Sequence, residues 1–77
     1  MKVEILGPVC PECDKLAENA QRAVEELGVD AEIIRITDIE EVTRRGVMIT
    51  PALAVDGEVK SVGKVLSSIE IADYLSG

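Results

Sequence analysis

The chain contains no histidine, tryptophan or phenylalanine, and Tyr74 is its only aromatic residue. Without histidine, every catalytic or metal-binding arrangement that requires an imidazole is excluded. Aliphatic side chains must therefore form the hydrophobic core, which is thin, because a chain of this size buries only about 60% of the surface that it exposes when unfolded. We predict a single domain over residues 1–77.

Basic residues are also scarce, and long apolar runs are absent. The chain has eight Lys and Arg residues and fifteen Asp and Glu residues, which gives a net charge of −7. This charge would repel the phosphates of nucleic acid, so we expect no nucleic-acid partner. No apolar run approaches the roughly 20 residues that a membrane span requires, and MKVEIL lacks the features of a signal peptide. We therefore expect a cytoplasmic protein with no membrane partner, in which a cysteine pair is more often catalytic or metal-binding than structural.

The spacing of apolar residues predicts a chain of strand, helix, strand, helix, strand, strand and helix, or βαβαββα. We expect these elements at Lys2–Leu6, at Pro11–Leu27, at Asp30–Ile36, at IEEVTRRG after a cap at Thr37 or Asp38, on both sides of Asp56-Gly57, and after a cap at Ser67 or Ser68. Parallel strands joined by a helix need a right-handed crossover, and a closing hairpin can extend the same sheet. The pattern predicts an α/β fold with a four-stranded mixed sheet and helices on both faces.

Both cysteines lie in the segment GPVCPECDKL, as Cys10 and Cys13. At the start of the first predicted helix, free backbone N–H groups and the helix dipole would lower the pKa of Cys10 from about 8.5. Cys13 continues the apolar stripe of that helix and should be sheltered. This asymmetry suits attack on a substrate disulfide by Cys10 and resolution of the mixed disulfide by Cys13. The acidic neighbours Glu12 and Asp14 should moderate the lowering of the Cys10 pKa.

Two other interpretations of the cysteine pair remain open. A zinc site needs four ligands, and one chain offers two sulfurs and no histidine, but a dimer or a two-coordinate soft metal could still use them. That arrangement would make the protein a metal carrier without redox turnover. Small metal carriers with a related order end in a strand, however, whereas SSIEIADYL predicts a closing helix. In the third interpretation, both thiols are core residues of an interaction module.

The segments VEILGPVCPEC and GVMITPALAVDGEVKSVGKV together resemble the thioredoxin superfamily. The chain is most similar to the very small thioredoxin-like proteins of archaea and anaerobic bacteria, also called redox-active disulfide protein 2. The resemblance implies a thioredoxin-like fold and an enzyme that reduces protein disulfides, with no cofactor besides the Cys10–Cys13 disulfide and no metal. It also implies that Cys10 is the nucleophile and Cys13 the resolving thiol. Pro51 matches the proline whose preceding bond is cis, and Thr50 matches the residue whose backbone pairs with substrate.

The resemblance also implies partners. Glutaredoxins often carry a Gly-Gly pair followed by acidic residues that holds glutathione, whereas this chain has Val62-Gly63-Lys64-Val65 after its hairpin. We therefore expect a flavoprotein of the thioredoxin-reductase type, rather than glutathione, to supply electrons. The expected substrates are protein disulfides, and the chain is expected to act as a monomer.

Two further residues have predicted environments. Glu4 lies six residues before Cys10, where ordinary thioredoxins carry a buried acid that shuttles protons. We expect it instead to be a carboxylate that reaches solvent at the end of its strand. Met48 is expected to pack in the core. The mostly apolar run Val47–Thr50 should likewise be packed, with Pro51 lying against the sulfurs.

Overall fold

The structure is a computed structural model that describes residues 1–8 and 11–76, so Val9 and Cys10 lie outside the described residues. Its elements are β1 (Lys2–Leu6), α1 (Pro11–Leu27), β2 (Glu32–Ile36), α2 (Ile39–Arg44), β3 (Ala52–Val55), β4 (Glu58–Val62) and α3 (Ser68–Leu75). This order confirms the predicted βαβαββα chain, with β2 beginning two residues later than expected. Within the two described ranges, no helix combines the length and the apolar character that crossing a membrane requires.

The four strands form one mixed sheet in the order β2-β1-β3-β4. Strand β1 pairs parallel with β2 and antiparallel with β3, and β3 pairs antiparallel with β4. Helix α1 forms the crossover between the two parallel strands, because parallel neighbours can be joined only by a long connection, which is usually a helix. The predicted α/β thioredoxin-like fold is therefore confirmed, and β1 and β3 are its central strands.

The helices cover both faces of this sheet. The larger cluster places residues of α1 and α3 against one face, and its fully buried members include Val3, Ile5, Leu16, Leu53 and Ile71. The smaller cluster places α2 and the loop after it against the other face, with Val42 and Val47 packed on Leu6, Ala52 and Ala54. Successive side chains of a strand point to opposite faces of the sheet. Val3 and Ile5 face the larger cluster, so Glu4, which lies between them in the sequence, projects towards the α2 face.

The ends of the elements follow local sequence signals. Asp38 caps α2 by accepting a hydrogen bond from the N–H of Glu40 at 3.0 Å. Ser67 caps α3 in a reciprocal arrangement with Glu70, which satisfies two backbone donors at once. The hairpin turn has positive φ at both Asp56 and Gly57, which this type of turn needs. The pairing of β3 with β1 then brings the segment before β3 close to the end of β1.

Candidate active site

Cys13 lies in the first turn of α1 and is completely buried, with 0% of its surface exposed. Leu16 and Ala20 continue the same buried stripe of the helix, so the predicted sheltered position of Cys13 is correct. Cys10, the predicted nucleophile, lies outside the described residues. Its position in the sequence is directly before Pro11, at which α1 begins.

Gly7 follows the last residue of β1 and is the point at which three segments meet. Its φ of +152° lies in a region that residues with a side chain rarely adopt, and its N–H donates to the carbonyl of Ile36 at 2.9 Å. A Cβ atom on Gly7 would lie 2.8 Å from Sγ of Cys13 and 3.2 Å from Cβ of Thr50. The end of β1, the first turn of α1 and the segment before β3 therefore converge here.

The Thr50–Pro51 bond is cis, as predicted. Pro51 is fully buried and Thr50 is half-buried. The carbonyl of Pro51 accepts a hydrogen bond from the N–H of Gly63 at 2.8 Å, and a Cβ on Gly63 would lie 2.8 Å from Cγ2 of Ile49. The segment containing Thr50 is thus held by close contacts with Gly7 on one side and with Gly63 on the other. The expected approach of Pro51 to Cys10 lies outside the described residues.

The prediction that Met48 packs in the core was wrong, and the run before Pro51 is packed only in part. Val47 is buried against Val42, but Met48 is 87% exposed and Ile49 is 62% exposed. Of this run, only Val47 joins the smaller core cluster, so the apolar character of Met48 and Ile49 did not by itself predict burial. Met48 and Ile49 therefore form an exposed apolar surface directly beside Thr50.

The prediction that Glu4 reaches solvent was also wrong. Glu4 is only 7% exposed, because its strand runs between β2 and β3 in the centre of the sheet. Both carboxylate oxygens accept hydrogen bonds from the guanidinium of Arg45, at 3.0 and 2.8 Å, and Arg45 also donates to Glu41 at 3.2 Å. The hydrogen bonds from Arg45 lower the pKa of Glu4 and outweigh the opposing effect of burial, while the same contacts raise the pKa of Arg45. Glu4 is therefore an ion-paired carboxylate at neutral pH.

An ion pair also lies close to the cysteine motif. Arg35 on β2 donates to the carboxylate of Asp14 in the first turn of α1 at 3.1 Å. The sequence indicated only that Asp14 would oppose a nearby thiolate, whereas Arg35 supplies a compensating positive charge. The ion pairs of Arg35 with Asp14 and of Arg45 with Glu4 could not be predicted from local patterns, because the paired residues are distant in the sequence. The role of Gly7 could not be assigned from the sequence either, because it depends on contacts with both Cys13 and Thr50.

Across residues 1–8 and 11–76, no group of three or more Cys, Asp or Glu side chains could hold a metal ion. What the described residues bring together is a buried sulfur, a glycine with no side chain and a loop containing a cis-proline. An α/β fold with this arrangement defines a thioredoxin-like protein.

Comparison with known proteins extends this conclusion. Residues 1–76 match the family described as the thioredoxin domain. The chain is 45% identical over 76 residues to a thioredoxin of Methanothermobacter thermautotrophicus, covering 99% of both chains. It is 42% identical over 73 residues to a thioredoxin of Methanocaldococcus jannaschii, covering 95% of this chain and 84% of the relative. The chain therefore belongs to the thioredoxin-domain family, as a small archaeal-type thioredoxin-like protein with a thioredoxin-like redox function.

Proposed function

We propose that the protein is a thiol–disulfide oxidoreductase that reduces protein disulfides through Cys10 and Cys13, without a further cofactor. The observation that carries this proposal is the position of the Cys13 sulfur, which shares the space beside Gly7 with Thr50 in a chain of the thioredoxin-domain family. We place this activity in the cytoplasm, where thiols are kept reduced.

The exchange takes place in two displacements. The thiolate of Cys10 attacks one sulfur of the substrate disulfide, forms a mixed disulfide and releases the other substrate sulfur as a thiolate, which takes up a proton. Cys13 then loses its proton and attacks the sulfur of Cys10. The bond between Cys10 and the substrate breaks, the Cys10–Cys13 disulfide forms, and the second substrate thiol leaves. Two electrons pass from the protein to the substrate.

Thr50 provides the proposed contact with the substrate backbone. Its N–H and C=O would pair with an extended segment of the substrate, as a strand adds to the edge of a sheet. Three observations support this role: Thr50 is half-buried, it lies beside the Cys13 sulfur, and the hydrogen bond from Gly63 fixes the next residue, Pro51. The exposed side chains of Met48 and Ile49 adjoin it and would contact apolar residues of the substrate.

A flavoprotein of the thioredoxin-reductase type is the proposed electron donor, and the protein is proposed to act as a monomer. The support for this donor is the segment Val62-Gly63-Lys64-Val65. Within this segment, Gly63 lies against Ile49, and its N–H donates a hydrogen bond to the carbonyl of Pro51. Gly63 therefore holds the loop that contains Thr50. The segment lacks the Gly-Gly pair and the acidic residues with which glutaredoxins hold glutathione.

Reduction of insulin tests the proposal. We expect the protein, NADPH and a flavin-dependent thioredoxin reductase to reduce insulin disulfides several times faster than the protein with glutathione and glutathione reductase. The protein with both thiols alkylated beforehand is the control and should show only the background rate. Faster turnover with glutathione would place the protein functionally with the glutaredoxins. No turnover with either donor would contradict the reductase function itself.

A further inference from the structure

We propose that Gly7 is a positioning residue for the second displacement, in which Cys13 releases the substrate, and this inference rests on the proposed function. The missing side chain of Gly7 leaves the space that the sulfur of Cys13 occupies. Gly7 takes no part in bond making, and it acts by fixing where that sulfur lies.

The contacts of Gly7 leave no room for even one added carbon. A Cβ would lie 2.8 Å from Sγ of Cys13, and 3.2 and 3.5 Å from Cβ and Cγ2 of Thr50. Favourable contacts between carbon atoms begin at about 3.5 Å, and sulfur is larger than carbon, so the sulfur would have to move by most of an ångström. Cys13 has no exposed surface, and its displacement must therefore disturb the surrounding core.

Gly7 cannot move away to relieve this contact. The preceding residue, Leu6, is paired with Ile36 on one side and with Ala52 on the other, in the middle of the sheet. The N–H of Gly7 also donates to the carbonyl of Ile36. The backbone is thus held by both neighbouring strands, and an added side chain would displace Cys13 or Thr50 instead.

The position of the Cys13 sulfur matters most in the second displacement. Cys13 attacks the sulfur of Cys10 while the bond between Cys10 and the substrate sulfur breaks, so three sulfurs must align. A misplacement of about 1 Å can slow such a step by about 100-fold. The first displacement does not involve the Cys13 sulfur, and it should be little affected.

The other described glycines provide a matched control. Gly28, Gly46 and Gly57 also have positive φ, but a Cβ on any of them would meet nothing within 4 Å. Gly28→Ala therefore imposes a strained backbone without a collision, and Gly28 follows the end of α1 that is remote from Cys13. Gly63 does collide, but with Ile49 and not with a cysteine. Among the described glycines, Gly7 is the one whose Cβ would strike a sulfur.

The test follows the reaction of the reduced protein with 5,5′-dithiobis(2-nitrobenzoate) by stopped-flow absorbance. The first displacement releases one thionitrobenzoate ion and the second, which is intramolecular, releases another. In Gly7→Ala we expect the second phase to slow by roughly 10- to 100-fold while the first keeps its rate. In Gly28→Ala we expect both phases to keep their rates, although the protein is less stable.

Each alternative result has a distinct meaning. A second phase at the wild-type rate in Gly7→Ala, or equal slowing of both phases, would overturn the role of Gly7. A wild-type protein that lacks the second, intramolecular release would instead contradict the proposed function. If Gly7→Ala fails to fold, its folding is measured with Cys13→Ala added. Recovery by removal of the sulfur supports the contact, and failure in both backgrounds overturns it.

Discussion

Replacing Cys13 with serine is expected to stop the exchange at the mixed disulfide and leave the substrate covalently attached to Cys10. A serine hydroxyl cannot displace a disulfide, so the first displacement proceeds and the second does not. We expect turnover of insulin to fall by about 1,000-fold or more, since a member of the reacting group is lost. Non-reducing electrophoresis and intact mass should show the adduct, and a reductant should release it.

Cys10→Ser is the matched variant, and it is expected to trap nothing comparable. The thiol that remains, Cys13, has no exposed surface, so a protein disulfide cannot reach it. The two variants carry the same chemical change at positions three residues apart. Equal trapping by both variants, or trapping by Cys10→Ser alone, would show that the two roles are assigned the wrong way round.

Replacing Glu4 with glutamine is expected to destabilise the fold at neutral pH by roughly 2 kcal/mol, because the buried carboxylate of a partly buried ion pair is lost and the charge of Arg45 is left without it. The pKa of Glu4 in the folded protein lies below its ordinary value of 4.5, because of the hydrogen bonds from Arg45. The unfolded chain therefore takes up a proton first as the pH falls. The contribution of Glu4 is complete at neutral pH, and it is lost as the pH falls from the unfolded towards the folded pKa.

Urea denaturation at pH 7 and at about pH 3 measures this dependence, since acid protonates the carboxylate first in the unfolded state and thereby reduces the contribution of the ion pair to stability. The stability difference between wild type and Glu4→Gln should be large at pH 7 and smaller at the acidic pH. Glu58→Gln is the control, because Glu58 pairs with Lys60 in an exposed position and should cost no more than about 0.5 kcal/mol. A loss for Glu4→Gln that does not change with pH would contradict the ion pair.

Glu4 also shows how the loop of Thr50 is anchored to the sheet. Arg45 directly follows α2, and the next residues lead through Val47 to Thr50. The Glu4–Arg45 pair therefore fixes the start of this loop against the central strand, and Val47 fixes it in the smaller core cluster. The exposed residues Met48 and Ile49 lie between these anchors and the buried Pro51. The loop can thus present an apolar surface without losing its position beside Cys13.

Local patterns in the sequence were enough to predict the elements of the fold. The alternation in Lys2–Leu6, the stripe in Pro11–Leu27 and the Asp56-Gly57 turn depend on residues close together in the chain. Each of these features follows from the backbone preference of a few residues or from the regular spacing of apolar residues, and neither depends on distant contacts. The cis bond before Pro51 was different, since its prediction depended mainly on resemblance to a family.

Contacts between distant residues account for what the sequence did not reveal. Glu4 and Arg45 are 41 residues apart, and nothing near either residue indicates the other. Met48 is exposed although its neighbour Val47 is packed in the smaller core cluster, and this difference depends on the course of the loop between α2 and β3. The role of Gly7 depends on the arrival of both Cys13 and Thr50 beside it. Each of these features is a property of the assembled sheet and helices, and not of a short segment.

A redox titration of the purified protein shows whether Cys10 and Cys13 form a reversible disulfide. Thiols are blocked with an alkylating reagent at a series of glutathione or dithiothreitol ratios, the mass is measured, and metal content is determined on the same sample. We expect two labels per chain in the fully reduced protein, since the chain has two cysteines, and none in the oxidised protein. The transition between the two states should be reversible and involve two electrons. Stoichiometric zinc or copper in protein purified without added metal, together with no disulfide on oxidation, would contradict this expectation and indicate a metal carrier.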